Sequence, residues 1–431
     1  MKAPPPLRSA LRSIVIGTCL LGVSLTSVHA DTVTDWNTAV ENNLLVPAER
    51  GPRVPIRTLA IMHAAMFDAV NGIERKYEPL FVTADAPPGA RAEAAAIQAA
   101  YTTLSALRPG SQATWDAQLA ASLASLPGDS GSSQSIARGR EWGAAVATAI
   151  IAWRATDGST AVLPPFVGST DAGYWRHAPL GASPTAGYAN LVTQPFLLSD
   201  PMGFDPGPPY GFADRASALT SPAYLADVNE IRLHGGVTSA VRTAAELEQA
   251  LFIDACDVAG LNRLLRSVLH PQARLVDNAR KFALFNMTAF DATVVFFRLK
   301  YHHALWRPFQ AIRYAASAPD ITWTSYLPTP PHPEYVSAHV TLFTALVHVA
   351  ERFEGETGSV NLTAAASAFY PGGTKSFESL SAISDVSVEA RINVGFHFRQ
   401  TVQVSQILGR AIGDEIVDNY LAPRGTHGRQ H

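Results

Sequence analysis

Apolar residues recur at three- and four-residue spacing along most of this chain, the repeat that lines one face of an α-helix. Leu59, Met62, His63, Met66, Phe67 and Val70 form one such stripe, and Leu251, Ala255, Val258 and Leu261 form another. The same pattern predicts helices over 90–107, 114–126, 134–153, 274–301, 338–353, 386–398 and 402–420. No run alternates apolar and polar positions as half-buried strands would. The expected fold is mainly α, packed as helical bundles.

One stretch breaks this rhythm. Between Leu163 and Tyr224, Pro164, Pro165, Pro184, Pro195, Pro201, Pro206, Pro208 and Pro209 interrupt any regular element, since each locks φ and lacks an N–H. With Trp175, Phe196, Phe204 and Tyr210 interspersed, it reads as an ordered Pro/Gly-rich loop wrapping the bundle, a lid or belt on one compact catalytic unit. Its alternative is a boundary near Val241, dividing an N-terminal helical region, 31–240, from a C-terminal bundle, 241–431.

The first thirty residues follow a different logic. Lys2, Arg8 and Arg12 precede an apolar run from Ile14 to Val23 and a Val28-x-Ala30 ending, the layout of a secretory signal peptide. Cleavage after Ala30 is expected, giving a secreted or periplasmic protein that begins at Asp31. The best later candidate for a membrane span, Ala338 to Ala350, falls short of the roughly 20 apolar residues required. No span is expected in the mature form.

Composition narrows the chemistry. The 431 residues carry 33 Lys+Arg against 36 Asp+Glu, net −3, with 16% charged, so a nucleic-acid-binding surface is not expected. Cys19 and Cys256 are the two cysteines, and the first lies in the expected signal peptide. An intrachain disulfide framework, thiolate zinc sites and iron–sulfur clusters are therefore excluded. Nothing here fixes the oligomeric state, and a homo-oligomer stays open.

Three clusters in the C-terminal half could hold a tetrahedral oxyanion. Lys300 and Arg307, seven residues apart and followed by Pro308, would share one helix face if the helix ran through them. Lysine is scarce, with only Lys76, Lys281, Lys300 and Lys375 after Ala30, so Lys300 does not belong to a generic basic face. Next, Ser337 is a natural N-cap, and the amides of Ala338, His339 and Val340 would project from a helix start as an anion cradle. Last, Arg391 and His397 lie six residues apart with Gly395 between them. Their convergence would need a deep pocket or a bend at Gly395.

In this order and spacing, Lys300, Arg307, Pro308, Ser337, His339, Arg391 and His397 resemble the superfamily of vanadium-dependent haloperoxidases and type 2 phosphatidic acid phosphatases. The motif region covers about a quarter of the mature chain. Val336, Ala338, Ala390 and Thr401 depart from the family pattern of Pro, Gly, Ser and Asp. The last departure matters most, because in the phosphatases that Asp orients the nucleophilic histidine.

The resemblance implies vanadate as cofactor, with hydrogen peroxide and a halide as substrates. Lys300, Arg307 and Arg391 would neutralise the oxyanion, Ser337 and the Ala338 amide would donate hydrogen bonds, and His397 would be the metal ligand. His339 would act as general acid and base, and Lys300 would polarise the peroxide. The alternative is a secreted acid phosphatase in which His397 attacks a phosphomonoester and His339 protonates the leaving alcohol. Phe297 and His332 lie where family peroxidases carry aromatic or basic residues, and the histidine favours bromide. A third reading is an inactive helical oxyanion-binding protein.

Other motifs carry less. Gly128-Asp129-Ser130-Gly131 spells a protease-like motif but lies between expected helices, without the strand framework such proteases use. His302 and His303 are adjacent, so they are expected to diverge on a helix and not to share a metal. His63 on its apolar stripe reads as a packed histidine.

Overall fold

The apolar stripes become fourteen α-helices among the described residues of a computed structural model, which are 31–44, 53–128, 132–176, 186–314, 319–355 and 357–425. The expected signal peptide and residues 129–131 of the protease-like motif lie outside them. In chain order the helices are α1 (Thr32–Leu44), α2 (Arg53–Glu74), α3 (Ala92–Leu107), α4 (Gln112–Ala124), α5 (Ser132–Arg154), α6 (Arg215–Thr220) and α7 (Pro222–His234). There follow α8 (Ala244–Ala255), α9 (Val258–Val268), α10 (Leu275–His303), α11 (Pro308–Tyr314), α12 (Ala338–Glu354), α13 (Leu380–Asn393) and α14 (Arg399–Asn419).

The 29-residue α10 is the axis of the molecule. Apolar residues cover nearly its whole circumference, and it packs on α2 to one side and α12 to the other. It is long and apolar enough to cross a membrane, which the sequence reading expected of no segment, yet 94% of its most apolar window is buried inside the protein. That is the signature of a core helix enclosed on all sides. Around it, α2, α3 and α5 form one bundle, and α12, α13 and α14 a second. Gly143 lets α3 and α5 touch backbone to backbone, since a Cβ there would lie 2.2 Å from the Ala95 carbonyl oxygen.

Two local expectations change. The stripe from Leu251 to Leu261 is two helices, because Asp257 caps a new start by accepting the amides of Ala259 and Gly260, each at 3.0 Å. Apolar spacing alone cannot reveal such a break. A short antiparallel hairpin also forms, β1 (Val360–Ala364) with β2 (Gly373–Phe377) in the register Val360 to Phe377. Its outer strand is mostly polar, which hides it from a periodicity reading.

The Pro/Gly-rich stretch is a belt where it is described. Asp291 of α10 accepts the amides of Phe196, Leu197 and Leu198 at 2.6, 2.8 and 3.0 Å. The Trp175 amide donates to the Ala304 carbonyl at 2.8 Å. Helix resumes at Arg215, inside the expected loop, and α7 packs against α11, α13 and α14.

Candidate active site

The three clusters meet beyond the C-terminal end of α10. Lys300 lies in its last turn and Arg307 just after it, both fully buried. They do not share a helix face: α10 ends at His303, Ala304 turns with φ 47°, and α11 begins at Pro308. A turn, not a continuous helix, brings Arg307 alongside Lys300. Lys300 Nζ donates to the carbonyls of Pro333 and Glu334, each at 3.0 Å. Arg307 donates from Nε to the His332 carbonyl (2.9 Å) and from Nη1 to the Phe396 carbonyl (3.0 Å). Its Nη1 also lies 3.2 Å from His397 Nε2, and its Nη2 2.9 Å from His332 Nδ1. One guanidinium thus joins the second cluster to the third.

Ser337 occupies the N-cap position of α12 as expected, but its hydroxyl makes no capping bond and has no partner although buried. Its own N–H is held by Ser405 Oγ at 2.8 Å. The hydroxyl and the first-turn amides of α12 are therefore available to something else. Arg391 pairs through Nη1 with Asp254 at 2.9 Å, while its buried Nε and Nη2 have no partner. His339 is stacked on Phe343 at 4.4 Å, and its Nε2 donates to the Ile253 carbonyl at 3.0 Å. Its open ring nitrogen is accordingly Nδ1. Burial, and then the Arg391 charge, push its pKa down to about 3.

The bend needed between Arg391 and His397 is present. Helix α13 stops at Asn393, and Gly395 has φ 83°, a left-handed conformation that favours glycine. A Cβ there would also lie 2.4 Å from the Gly235 carbonyl oxygen.

The residue that the sequence reading missed is Glu334. It is fully buried, and Oε1 accepts His397 Nδ1 at 2.9 Å and the Phe398 amide at 3.0 Å. Its Oε2 accepts the Thr401 hydroxyl at 2.8 Å. The orienting carboxylate absent at position 401 is thus supplied from 334, with Thr401 holding it. A signal existed: Glu334 is the sole acid between Asp320 and Glu351.

The electrostatics follow from this arrangement. A carboxylate accepts, so His397 keeps its proton on Nδ1 and turns a lone pair at Nε2 toward Arg307. Burial, then Arg307, Lys300 and Arg391, push the His397 pKa well down, keeping the ring neutral. Burial raises Glu334 to about 7 against the pull of Arg307. Burial and Arg307 push Lys300 well below its ordinary value.

Three basic side chains, Lys300, Arg307 and Arg391, thus face two acidic ones, Glu334 and the partly exposed Asp254. Buried charge of this kind is costly unless matched. The excess of basic over acidic groups, the unpartnered Ser337 hydroxyl and the unpartnered Arg391 nitrogens fit a tetrahedral oxyanion such as vanadate.

The remaining candidates settle differently. His63 is a packed histidine, stacked on Phe282 at 5.0 Å and bonded to Asn37 at 2.9 Å. His302 and His303 do not diverge as expected but both approach Asp205.

Residues 280–424 match the family model of the VCPO second helical-bundle domain. A bacterial vanadium-dependent iodoperoxidase has a similar structure, with TM-score 0.72 and 21% identity over 91% of this chain and 96% of that one. An apo-type bacterial vanadium-dependent chloroperoxidase matches with TM-score 0.68 and 16% identity, over 88% of this chain and 97% of that one. A holo-type one gives 0.64 and 16%, over 92% and 95%. None of the curated proteins matches. The chain has the fold of these vanadium-dependent haloperoxidases.

Proposed function

We propose that this protein is a vanadate-dependent haloperoxidase, exported after removal of residues 1–30, that oxidises halide with hydrogen peroxide. The observation that carries the reading is that the buried Ser337 hydroxyl and two buried Arg391 nitrogens have no protein partner. The similar structures, an iodoperoxidase and chloroperoxidases, favour the peroxidase over its relatives.

Vanadate, when bound, supplies the Lewis acidity that activates peroxide toward a halide nucleophile. Arg391 Nε and Nη2, Ser337 Oγ, the Ala338 amide, Lys300 and Arg307 would hold its oxygens, and His397 Nε2 would ligate the metal. Glu334 keeps the His397 proton on Nδ1, so that Nε2 presents a lone pair. His339 would take and return a proton at Nδ1, because Nε2 is committed to the Ile253 carbonyl. An anion beside it raises its depressed pKa toward a working range. His332 stands beside Arg307 and edge-on to Phe297 at 5.5 Å, and on its account we favour bromide.

The Glu334–His397 pair also favours a second reading. An oriented imidazole with an unprotonated Nε2 is what a phosphatase nucleophile needs.

Parallel assays separate the two. The mature protein is given peroxide and bromide, or a chromogenic phosphomonoester, each with and without orthovanadate. Vanadate-dependent bromination that disappears in His397→Ala is the expected result. Phosphate release inhibited by vanadate, without halogenation, would overturn it.

A further inference from the structure

The cluster formed by Asp205, His302 and His303 lies outside the oxyanion site and has no part in its chemistry. His302 and His303 end α10, and Asp205 comes from the belt loop that wraps it. Adjacent residues on a helix point roughly 100° apart, but the Asp205 carboxylate sits within the angle they make. His303 Nε2 is 2.8 Å from one carboxylate oxygen, and His302 Nε2 is 3.7 Å from the other. One ligand atom from each residue lies within 4.8 Å of the others.

Part of this cluster is a loop anchor. Asp205 Oδ1 accepts both His303 and the Gly207 amide, the latter at 2.9 Å. His303 is buried edge-on to Tyr335 at 5.0 Å, and its carbonyl accepts Arg215 Nη2 at 2.5 Å. An anchor needs nothing from His302, however. Its Nε2 is too far from Asp205 for a hydrogen bond, yet the spacing is close to the roughly 3–3.5 Å that separates two ligands of one zinc-sized ion. With its side chain 58% exposed, His302 can close the difference by a small rotation.

We propose that Asp205, His302 and His303 form a second metal site, one for a divalent transition ion of the zinc, copper or nickel class. Two imidazoles and one carboxylate suit such ions, whereas calcium and magnesium prefer all-oxygen shells. The His303 proton that now faces Asp205 moves to Nδ1 or to solvent as the ion enters. Three protein ligands leave a position for water or a small ligand, and His302 also lines a cavity of about 350 Å³ with Tyr188, Arg298 and Tyr301. The ion pins the belt loop to the end of α10, next to Tyr335 and the segment that carries Glu334 and Ser337.

The test is calorimetric titration of the metal-free mature protein with Zn²⁺, repeated in His302→Ala and Asp205→Asn, with Co²⁺ absorption as a second readout. One Zn²⁺ per chain is expected, together with a rise in Tm. His302→Ala should weaken binding at least about tenfold, which is 1.4 kcal/mol, while leaving the metal-free Tm nearly unchanged because its side chain is exposed. Failure of the wild type to take up Zn²⁺, or unchanged affinity in His302→Ala, would overturn the proposal. Neither outcome bears on the oxyanion site, so the two readings fail separately.

Discussion

Replacing Glu334 by glutamine keeps the shape of the residue behind His397 and removes its charge. The amide oxygen can still accept His397 Nδ1 and the Phe398 amide, now held at 2.9 and 3.0 Å. The new NH₂ group would meet Thr401 Oγ1, which can turn from donor to acceptor. What is lost is the ionic character of the hydrogen bonds from His397, Phe398 and Thr401 and a fully buried carboxylate beside Arg307 and Lys300.

A hydrogen bond to a charged group contributes about 1.5–3 kcal/mol, against about 1 for a neutral one. The difference across the His397 bond is therefore about 0.5–2 kcal/mol. That corresponds to a loss in vanadate affinity of roughly 2- to 30-fold, whose upper part overlaps the range usual for partners of metal-ligating histidines. The assay is equilibrium titration of the metal-free enzyme with orthovanadate, read by calorimetry. Thr401→Asp in the Glu334→Gln background should recover part of the loss, since position 401 already touches Glu334. Unchanged vanadate affinity in Glu334→Gln would refute the reasoning.

Three further changes test other parts of the structure. Ser337→Ala should leave the stability of the metal-free protein nearly unchanged, because the hydroxyl has no partner, yet lower vanadate affinity by about 1.5–3 kcal/mol; thermal unfolding and titration check the two halves. Gly395→Ala puts a side chain at φ 83° and against the Gly235 carbonyl, and should lower stability by more than about 1 kcal/mol in denaturant melts while also weakening vanadate binding.

His63 governs an acid limb: burial, then Arg266, lower its pKa to about 3 from 6.5. Its contribution is complete above the unfolded value and is lost as pH falls toward the folded one. Between neutrality and about pH 4.5 the loss is roughly 2.5 kcal/mol. His63→Gln, compared with wild type at both pH values, should show an acid loss smaller by that amount.

The helices were largely legible because each buries one face, and burial writes itself into residue spacing. α10 was legible within two residues at each end, 274–301 against Leu275–His303, although it is apolar almost all round. The turn that follows it was not, since Ala304 at φ 47° carries no glycine to announce it. Where a polar side chain rather than spacing decides the boundary, as Asp257 does between α8 and α9, the pattern read through it.

The site shows the same division in sharper form. Lys300, Arg307, Ser337, Arg391 and His397 stand at fixed distances along the chain, so their joint spacing could be read directly. Glu334 could not be found that way, because its partners His397 and Thr401 lie 63 and 67 residues on. Thr401 looked like a missing acid only while position was equated with function. A carboxylate in contact with an imidazole is defined by where its oxygens arrive, and α14 carries Thr401 to the back of Glu334 to hold it there. The cluster at Asp205 obeys the same rule: two adjacent histidines that spacing separates are joined by a loop residue nearly a hundred positions earlier. Spacing identifies residues that share an element, while groups brought together from different elements must be found by asking which buried donor lacks an acceptor.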